Sequence, residues 1–349
     1  MHGEYKEPGQ KLVAVDLEVV DGRLSNVNLS GDFFLEPDDA LFRFNRALIG
    51  VSEQATVPQL VEVLNRAMHP QDVLFGLSLE GIAIAVRRAL GKAVAWEDID
   101  FDVMRGPVVH PVMNMALDEV LAGEVAAGRR KPHMRIWEWD RPLLVMGSFQ
   151  SYMNEVNPEG VLKHGVTVSR RITGGGTMFM EPGNCVTYSL CVPVGLVEGL
   201  SFEQSYSFLD QWCMGALKKC GVDATYVPLN DIASAQGKIG GAAQKRFANG
   251  VMVHHVTMAY DIDTIKMMEC MRIGAEKLRD KGVRSAVKRV DPMRSQTGLE
   301  RDAIIEIFID HFLGLYPSGL SEITDDELVK AEDLMHSKFL SEEWIHRVP

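Results

Sequence analysis

Residues 170–189 read RRITGGGTMFMEPGNCVTYS. Arg170 and Arg171 stand just ahead of three glycines, and a short apolar run, Gly183-Asn184 and an alternating stretch follow. Three successive glycines let the backbone take conformations closed to other residues and bring its N–H groups close to a ligand. Such a nest of amides favours an anion, and two guanidinium groups beside it add charge and forked donors. A ligand bearing phosphate or carboxylate is the expectation. A lone GGG marks an ordinary turn more often than a site. Here it is joined by a second glycine-rich segment, NDIASAQGKIGGAAQKR at 230–246, with Lys238 between Gly237 and Gly240-Gly241.

Working outward, VTVSRRITGGG (166–176) carries a strand into the glycine turn and NCVTYSLCV (184–192) alternates out of it, placing Cys185, Thr187, Ser189 and Cys191 on one side. MRIWEWD and PLLVMGSFQ (134–150) read as two strands broken at Asp140-Arg141-Pro142, with Trp137 and Trp139 sharing a core or pocket-wall face. Residues 113–127, MNMALDEVLAGEVAA, put Met113, Ala116, Leu117, Val120 and Leu121 on one helical face. Ser201 and Gln204 open a helix expected to run to Cys220, with Gly221 as its stop. ATYVPLNDI reads as a strand entering a loop, GVMVHHVTMAYDID as another strand, and helices are expected at about 263–273, 299–313 and 325–338. Thr297/Glu300 and Thr324/Glu327 have capping-box spacing for the last two. Strands and helices interleaved in this irregular order predict an α+β fold with a mixed or antiparallel sheet.

The front of the chain is different. LVAVDLEVVDGRLSNVNLS (12–30) alternates about Asp21-Gly22, a hairpin signal. Helices are expected over PDDALFRFNRALIG (37–50), from Thr56 with Gln59 in capping-box spacing, and after Ser78, where Ile82, Ala85, Val86 and Ala89 share a face. This small α+β module shows no catalytic constellation. Residues 98–108, with Gly106-Pro107, are expected to connect it to the remainder.

The 349 residues are long enough for two domains. The net charge of −12, without a basic stripe interleaved with aromatics, argues against nucleic-acid binding. Arg129-Arg130-Lys131, Arg170-Arg171, Lys245-Arg246 and Lys288-Arg289 remain as candidate local positive sites. No apolar run approaches the ~20 residues of a membrane span, and MHGEYKEPGQK has no secretory core. Five cysteines without a C-x-x-C pair predict reduced thiols in the cytoplasm.

RRITGGGTMFMEPGN, then NDI, GKIGGAAQKR and VHHVTMAYDID in that order, resembles the catalytic domain of the lipoate–protein ligases across roughly residues 105–349. The resemblance implies an ATP- and Mg2+-dependent enzyme that activates lipoate as lipoyl-AMP. It would pass the acyl group to a lysine of a lipoyl-carrier protein, a 2-oxoacid dehydrogenase lipoyl domain or a glycine-cleavage H protein. Carried over residue by residue, Lys238 is the essential lysine and Gly174, Gly175, Gly176, Thr177, Met178 and Phe179 form the nucleotide-binding segment. Arg171 contacts ATP or the acyl head, Asn230 and Asp231 form the NDI segment with Asp231 a Mg2+ candidate, and His255 with Thr257 faces the pocket. Two departures stand out: Met180-Glu181 replaces the family's His-Asp, and Gly241-Ala242-Ala243 its Gly-Ser-Ala. The opening module (1–97) resembles the family's accessory domain, which usually follows the catalytic domain (here 109–349), so the chain reads as circularly permuted. Two alternatives stay open. One is the octanoyl- and lipoyl-transferases, which use a cysteine and no ATP, with Cys185 the nearest thiol. The other is a carrier-binding module without catalysis; the distantly related biotin–protein ligases are set aside because their GRGR loop is absent.

Overall fold

The computed structural model describes residues 1–6, 10–91, 94–272 and 290–349. The chain forms two compact units, Met1–Trp96 with Val194–Ser201, and Glu97–Pro193 with Phe202–Pro349.

In the first unit His2–Lys6, Leu12–Val20 and Arg23–Gly31 make an antiparallel sheet. Its hairpin turns at Asp21 (φ 51°) and Gly22 (φ 72°), both left-handed as a tight two-residue hairpin loop requires. Helices Ala40–Leu48, Val57–Ala67 and Leu79–Ala89 cover it. Val13, Val15 and Leu17 of the sheet are buried with Phe44, Leu60, Leu64, Ile82 and Val86 of the helices. Ser78 caps the third helix, accepting from the Gly81 N–H at 2.9 Å.

The second unit is built on a mixed sheet whose order among the described residues is Thr225–Val227, Asp231–Ala233, Lys238–Arg246, Val251–Ala259, Cys185–Pro193, His133–Trp139, Phe101–Val109 and Ser318–Leu320. Its neighbours run antiparallel except at the Phe101–Val109 end, where both pairings are parallel. A smaller sheet orders Met178–Met180, Leu143–Met146 and Thr167–Arg170. Helix Pro111–Ala126 packs on one face of the large sheet, touching strands His133–Trp139, Cys185–Pro193 and Val251–Ala259. The expected α+β class with a mixed sheet is the class the chain adopts.

Several expectations change. Residues 98–108, read as a connector, are mostly strand Phe101–Val109; Gly106-Pro107 falls where its register shifts, and proline, lacking an N–H, breaks the ladder there. The helix expected over 201–220 is two, Phe202–Leu209 and Gln211–Lys219. Between them the buried Asp210 carboxylate accepts from Tyr188 (2.6 Å) and Tyr226 (3.0 Å) and meets His254 Nε2 (2.6 Å). Thr297 does not cap the next helix; its hydroxyl donates to the Met293 carbonyl, closing the short helix Met293–Thr297, and the long helix is Arg301–Leu315. Thr324 and Glu327 do form a capping box, on helix Asp325–Leu334, which passes into a π turn at Met335–Phe339. The helix expected over 263–273 spans Thr264–Cys270, its last expected residue lying outside the described residues, as do Lys288 and Arg289.

Candidate active site

A cavity of about 620 Å3, its mouth included, opens in the second unit between the glycine turn and the large sheet. Arg171, Gly175, Gly176, Thr177 and Met178 line one side, and Asn230, Lys238, Gly241, Ala242 and Ala243 the other. His255, Thr257 and Thr187 form the floor, with Met115, Trp137, Val145 and Met180 at an apolar end. Two segments some sixty residues apart meet because strands Lys238–Arg246 and Cys185–Pro193 both pair with Val251–Ala259. Ser189, His255 and Ala243 thus fall in one row across three strands.

The lysine side is held by the sheet. Lys238 does not ride on a loop, as its glycine flanks suggest, but opens strand Lys238–Arg246. Its Nζ lies 2.7 Å from Asp231 Oδ1 on the neighbouring strand, and both side chains remain substantially exposed, at 45% and 38%. A Cβ at Gly241 would come 3.2 Å from that Nζ and 3.4 Å from Asp231 Oδ1, so the glycine keeps the pair clear. Asn230 clamps the strand: its Nδ2 donates to the Ala242 carbonyl (2.6 Å) and its own carbonyl accepts from the Ala242 N–H (2.9 Å). Asp231 is not itself among the lining residues but keeps its exposed carboxylate against Lys238, which is.

The glycine turn is held from beneath. Arg171 Nη2 donates to the carbonyls of Gly174 (2.7 Å) and Gly176 (2.9 Å), and Nε to Thr173 Oγ1 (2.9 Å). Burial lowers the Arg171 pKa to about 10. Gly175 sits at φ 94°, open to glycine alone at little cost. Gly147 presses against it, since a Cβ there would lie 2.0 Å from the Gly175 carbonyl oxygen. The Thr177 hydroxyl is engaged by Gln150 (3.0 Å) and Glu155 (2.8 Å).

Not all the expected residues come together. Gly174 is not among the lining, and Phe179 is buried with Leu144, Val156 and Val166 on the far side of its strand. Arg170 is not beside the turn as a second charge. Its guanidinium is buried and donates to the carbonyls of Gly147 (2.9 Å), Gln150 (2.6 Å) and Ile345 (2.8 Å), tying down the C-terminal segment. Arg129, Arg130 and Lys131 are spent on Glu124, Glu327 and Asp100. Met180 fills the apolar end, and Glu181 pairs with Lys266.

Cys185 is buried at 0% exposure among Met104, Trp139 and Met180. Burial pushes its thiol up to about 12, overriding the effect of nearby Arg301; the reactive thiol that the transferase alternative needs is not what the fold builds at this residue. All five cysteines are buried and none lines the cavity.

Sequence reading overlooked the layer under the floor. Asp118, 2% exposed on helix Pro111–Ala126, accepts from Arg135 Nη2 (2.7 Å) and Ser189 Oγ (2.7 Å) and meets His255 Nδ1 (3.0 Å). Burial alone would raise its pKa; the hydrogen bond from His255 and the Arg135 charge outweigh that and hold it below the usual range. Burial likewise lowers His255, against the pull of Asp118. The available signal was Asn114 and Asp118 one helical turn apart in MNMALDEVL, polar groups on a face too apolar to be left unpartnered. Among the described residues no group of three His, Cys, Asp or Glu could hold a metal ion, and no helix is long and apolar enough to cross a membrane.

The family model described as the lipoyl protein ligase A/B catalytic domain matches residues 110–313. Lipoate–protein ligase 1 of Staphylococcus aureus is 26% identical over 239 residues, covering 68% of this chain and 70% of that protein. Octanoyltransferase LipM of Brevibacillus brevis is 24% identical over 266 residues, covering 68% of this chain and 95% of that protein. A solved structure of a bi-partite lipoate protein ligase from Thermoplasma acidophilum, described together with its E2 lipoyl domain, shares the fold at a TM-score of 0.63 and 23% identity, over 72% of this chain and 98% of that one. A lipoate-protein ligase A bound with ATP does so at 0.60 and 21%, over 72% and 99%.

Proposed function

Because this chain belongs to the lipoyl protein ligase A/B catalytic domain family, we propose that it is an ATP-dependent lipoate–protein ligase. The observation that carries the reading is the single cavity in which Lys238, the glycine turn and an apolar wall of Met115, Trp137, Val145, Met178 and Met180 meet. Such a cavity suits a substrate with a hydrocarbon tail and a carboxylate that must be brought to a triphosphate.

In the first step a carboxylate oxygen of lipoate attacks the α-phosphorus of ATP, the bond to the bridging oxygen breaks, and pyrophosphate leaves. Two anions must approach, and Lys238 Nζ, partly exposed at the cavity, would bridge them, exchanging its Asp231 partner for the carboxylate and α-phosphate. The turn's amides receive phosphate oxygens, and the apolar wall holds the acyl chain so that attack is effectively intramolecular. Magnesium in such sites takes one or two carboxylates beside substrate phosphates, and Asp231, the carboxylate next to Lys238, is the residue that would hold it while it neutralises triphosphate charge. In the second step the amine of a carrier lysine attacks the lipoyl carbonyl, AMP leaves, and the amine gives up its proton. The carrier is a lipoyl domain of a 2-oxoacid dehydrogenase or a glycine-cleavage H protein. The first unit serves as the accessory module, placed ahead of the catalytic unit by circular permutation.

The match to an octanoyltransferase favours a second reading, acyl transfer without ATP. That chemistry, in the thiol form considered above, needs a cysteine at the cavity, and none lines it. Lipoate-stimulated exchange of labelled pyrophosphate into ATP separates the two. The ligase gives exchange; a protein that moves octanoyl groups between carriers with no exchange is the transferase.

A further inference from the structure

We propose that Arg171 is a positioning residue for the glycine turn, set by a relay through Thr173, His255 and Asp118, and that it presents the turn's amides without itself binding the nucleotide. The inference rests on the ATP reading above and departs from the ligand contact that family resemblance implies for this arginine.

The direction of each hydrogen bond follows from which groups have protons to give. A guanidinium only donates, so Thr173 Oγ1 accepts from Arg171 Nε at 2.9 Å. The ionised Asp118 only accepts, so the neutral imidazole keeps its proton on Nδ1, and the Thr173 hydroxyl donates to the bare His255 Nε2, 2.8 Å away. The imidazole proton is left on Nδ1, where it donates to Asp118 Oδ2 at 3.0 Å. Asp118 is anchored in turn by Arg135, which also donates to Asn114 Oδ1 (2.6 Å) and the Asn114 carbonyl (2.9 Å). Every member from Asp118 to Arg171 is at least nine-tenths buried, so one tautomer and one orientation are imposed.

The far end of the relay acts on backbone. Arg171 Nη2 takes the carbonyls of Gly174 and Gly176. In a trans peptide the N–H points opposite to the C=O of the same plane. The N–H groups of Gly175 and Thr177 therefore face away from the guanidinium, and among the described residues neither donates to a protein acceptor. Gly175 and Thr177 both line the cavity. The guanidinium's N–H groups on Nε and Nη2 are spent within the protein and Nη1 is directed at the Val145 carbonyl, at 3.4 Å; its positive charge polarises the two peptide planes toward an anion on their other side.

The test uses the full chain with ATP and lipoate as separate probes. Thr173→Val keeps the shape and removes the hydroxyl, leaving Arg171 Nε and His255 Nε2 unmatched. About a tenfold weaker Kd for ATP is expected, with the lipoate Kd changed less than about twofold and Thr173→Ser returning ATP binding close to the wild-type value. Were Arg171 itself the phosphate ligand, Thr173→Val would free its donor. Unchanged or tighter ATP binding, equal weakening of both ligands, or failure of serine to rescue overturns the proposal. Independently of any nucleotide, nitrogen-15 shifts of the His255 ring in the ligand-free wild type must show a protonated Nδ1 and bare Nε2; the opposite tautomer overturns the relay even if Thr173→Val does not fold. A wild-type protein that shows the expected tautomer but binds no ATP would refute the ligase reading and leave the relay standing.

Discussion

Replacing Gly147 by alanine tests the glycine turn from a residue that touches no part of the lysine side. Gly147 follows strand Leu143–Met146; its N–H donates to Gln150 Oε1 (2.7 Å) and its carbonyl accepts from Arg170 (2.9 Å), so it cannot swing away. An added Cβ would lie 2.0 Å from the Gly175 oxygen and 3.0 Å from its carbonyl carbon. Both are backbone atoms, and relieving the clash moves the turn by at least about 1 Å, a misplacement that costs on the order of 100-fold in rate when it lies in a reacting geometry. Over-packing of this kind destabilises by about 1–3 kcal/mol, and Tm then falls by roughly 2–4 °C per kcal/mol in a unit of this size. Lipoate-dependent pyrophosphate exchange should therefore drop about 100-fold at a temperature where circular dichroism shows the variant still folded. The matched control is Gly123→Ala in helix Pro111–Ala126, where nothing lies within 4 Å of the new Cβ. It should stabilise by about 0.5–1 kcal/mol and leave exchange unchanged. Wild-type exchange and KM for ATP in Gly147→Ala, or a loss no larger than its unfolded fraction explains, would refute the reasoning.

Lys238→Ala should lower exchange by roughly 100- to 1,000-fold, the scale of losing one charge-stabilising donor. Its half-exposed partnership with Asp231 contributes at most about 1 kcal/mol to stability; a folded variant with undiminished exchange would remove Lys238 from the mechanism. Cys185→Ala should keep exchange, and iodoacetamide at pH 8 should leave Cys185 unlabelled in the native protein, because burial holds the thiol near 12. Rapid labelling, or loss of acyl transfer in the alanine variant with ATP dispensable, would favour the transferase. Stability should also fall in mild acid. Burial, aided by Arg135 and Arg130, lowers His133 to about 3, whereas the unfolded chain takes up that proton near about 6.5. Between those values the unfolded state binds more protons, so stability decreases as pH drops through the window. Urea titrations from pH 7.5 to 5 should show a shallower decline in His133→Gln, and parallel slopes would contradict the assignment.

Local order was legible from sequence wherever it depends on neighbours within a turn or a pleat. The Asp21-Gly22 hairpin, the Ser78 cap and the Thr324/Glu327 box each rest on residues at most three positions apart, whose backbone requirements are local. The glycine turn and Lys238 were visible for the same reason, as unusual backbone freedom and an isolated cation on short segments. Tertiary structure decided what depends on groups distant in sequence. Which of two adjacent arginines supports the turn was settled by where each guanidinium finds carbonyls: Arg171 at Gly174 and Gly176, Arg170 at the C-terminal segment around Ile345. Lys238 became a strand residue, and 98–108 most of a strand, because hydrogen-bond ladders are satisfied by partners far along the chain. Asp118 gained its place at the site through His255, 137 positions away, and Cys185 lost its chemistry to burial. Desolvation and long-range pairing exist only once the chain has closed on itself, which is why no local pattern announces them.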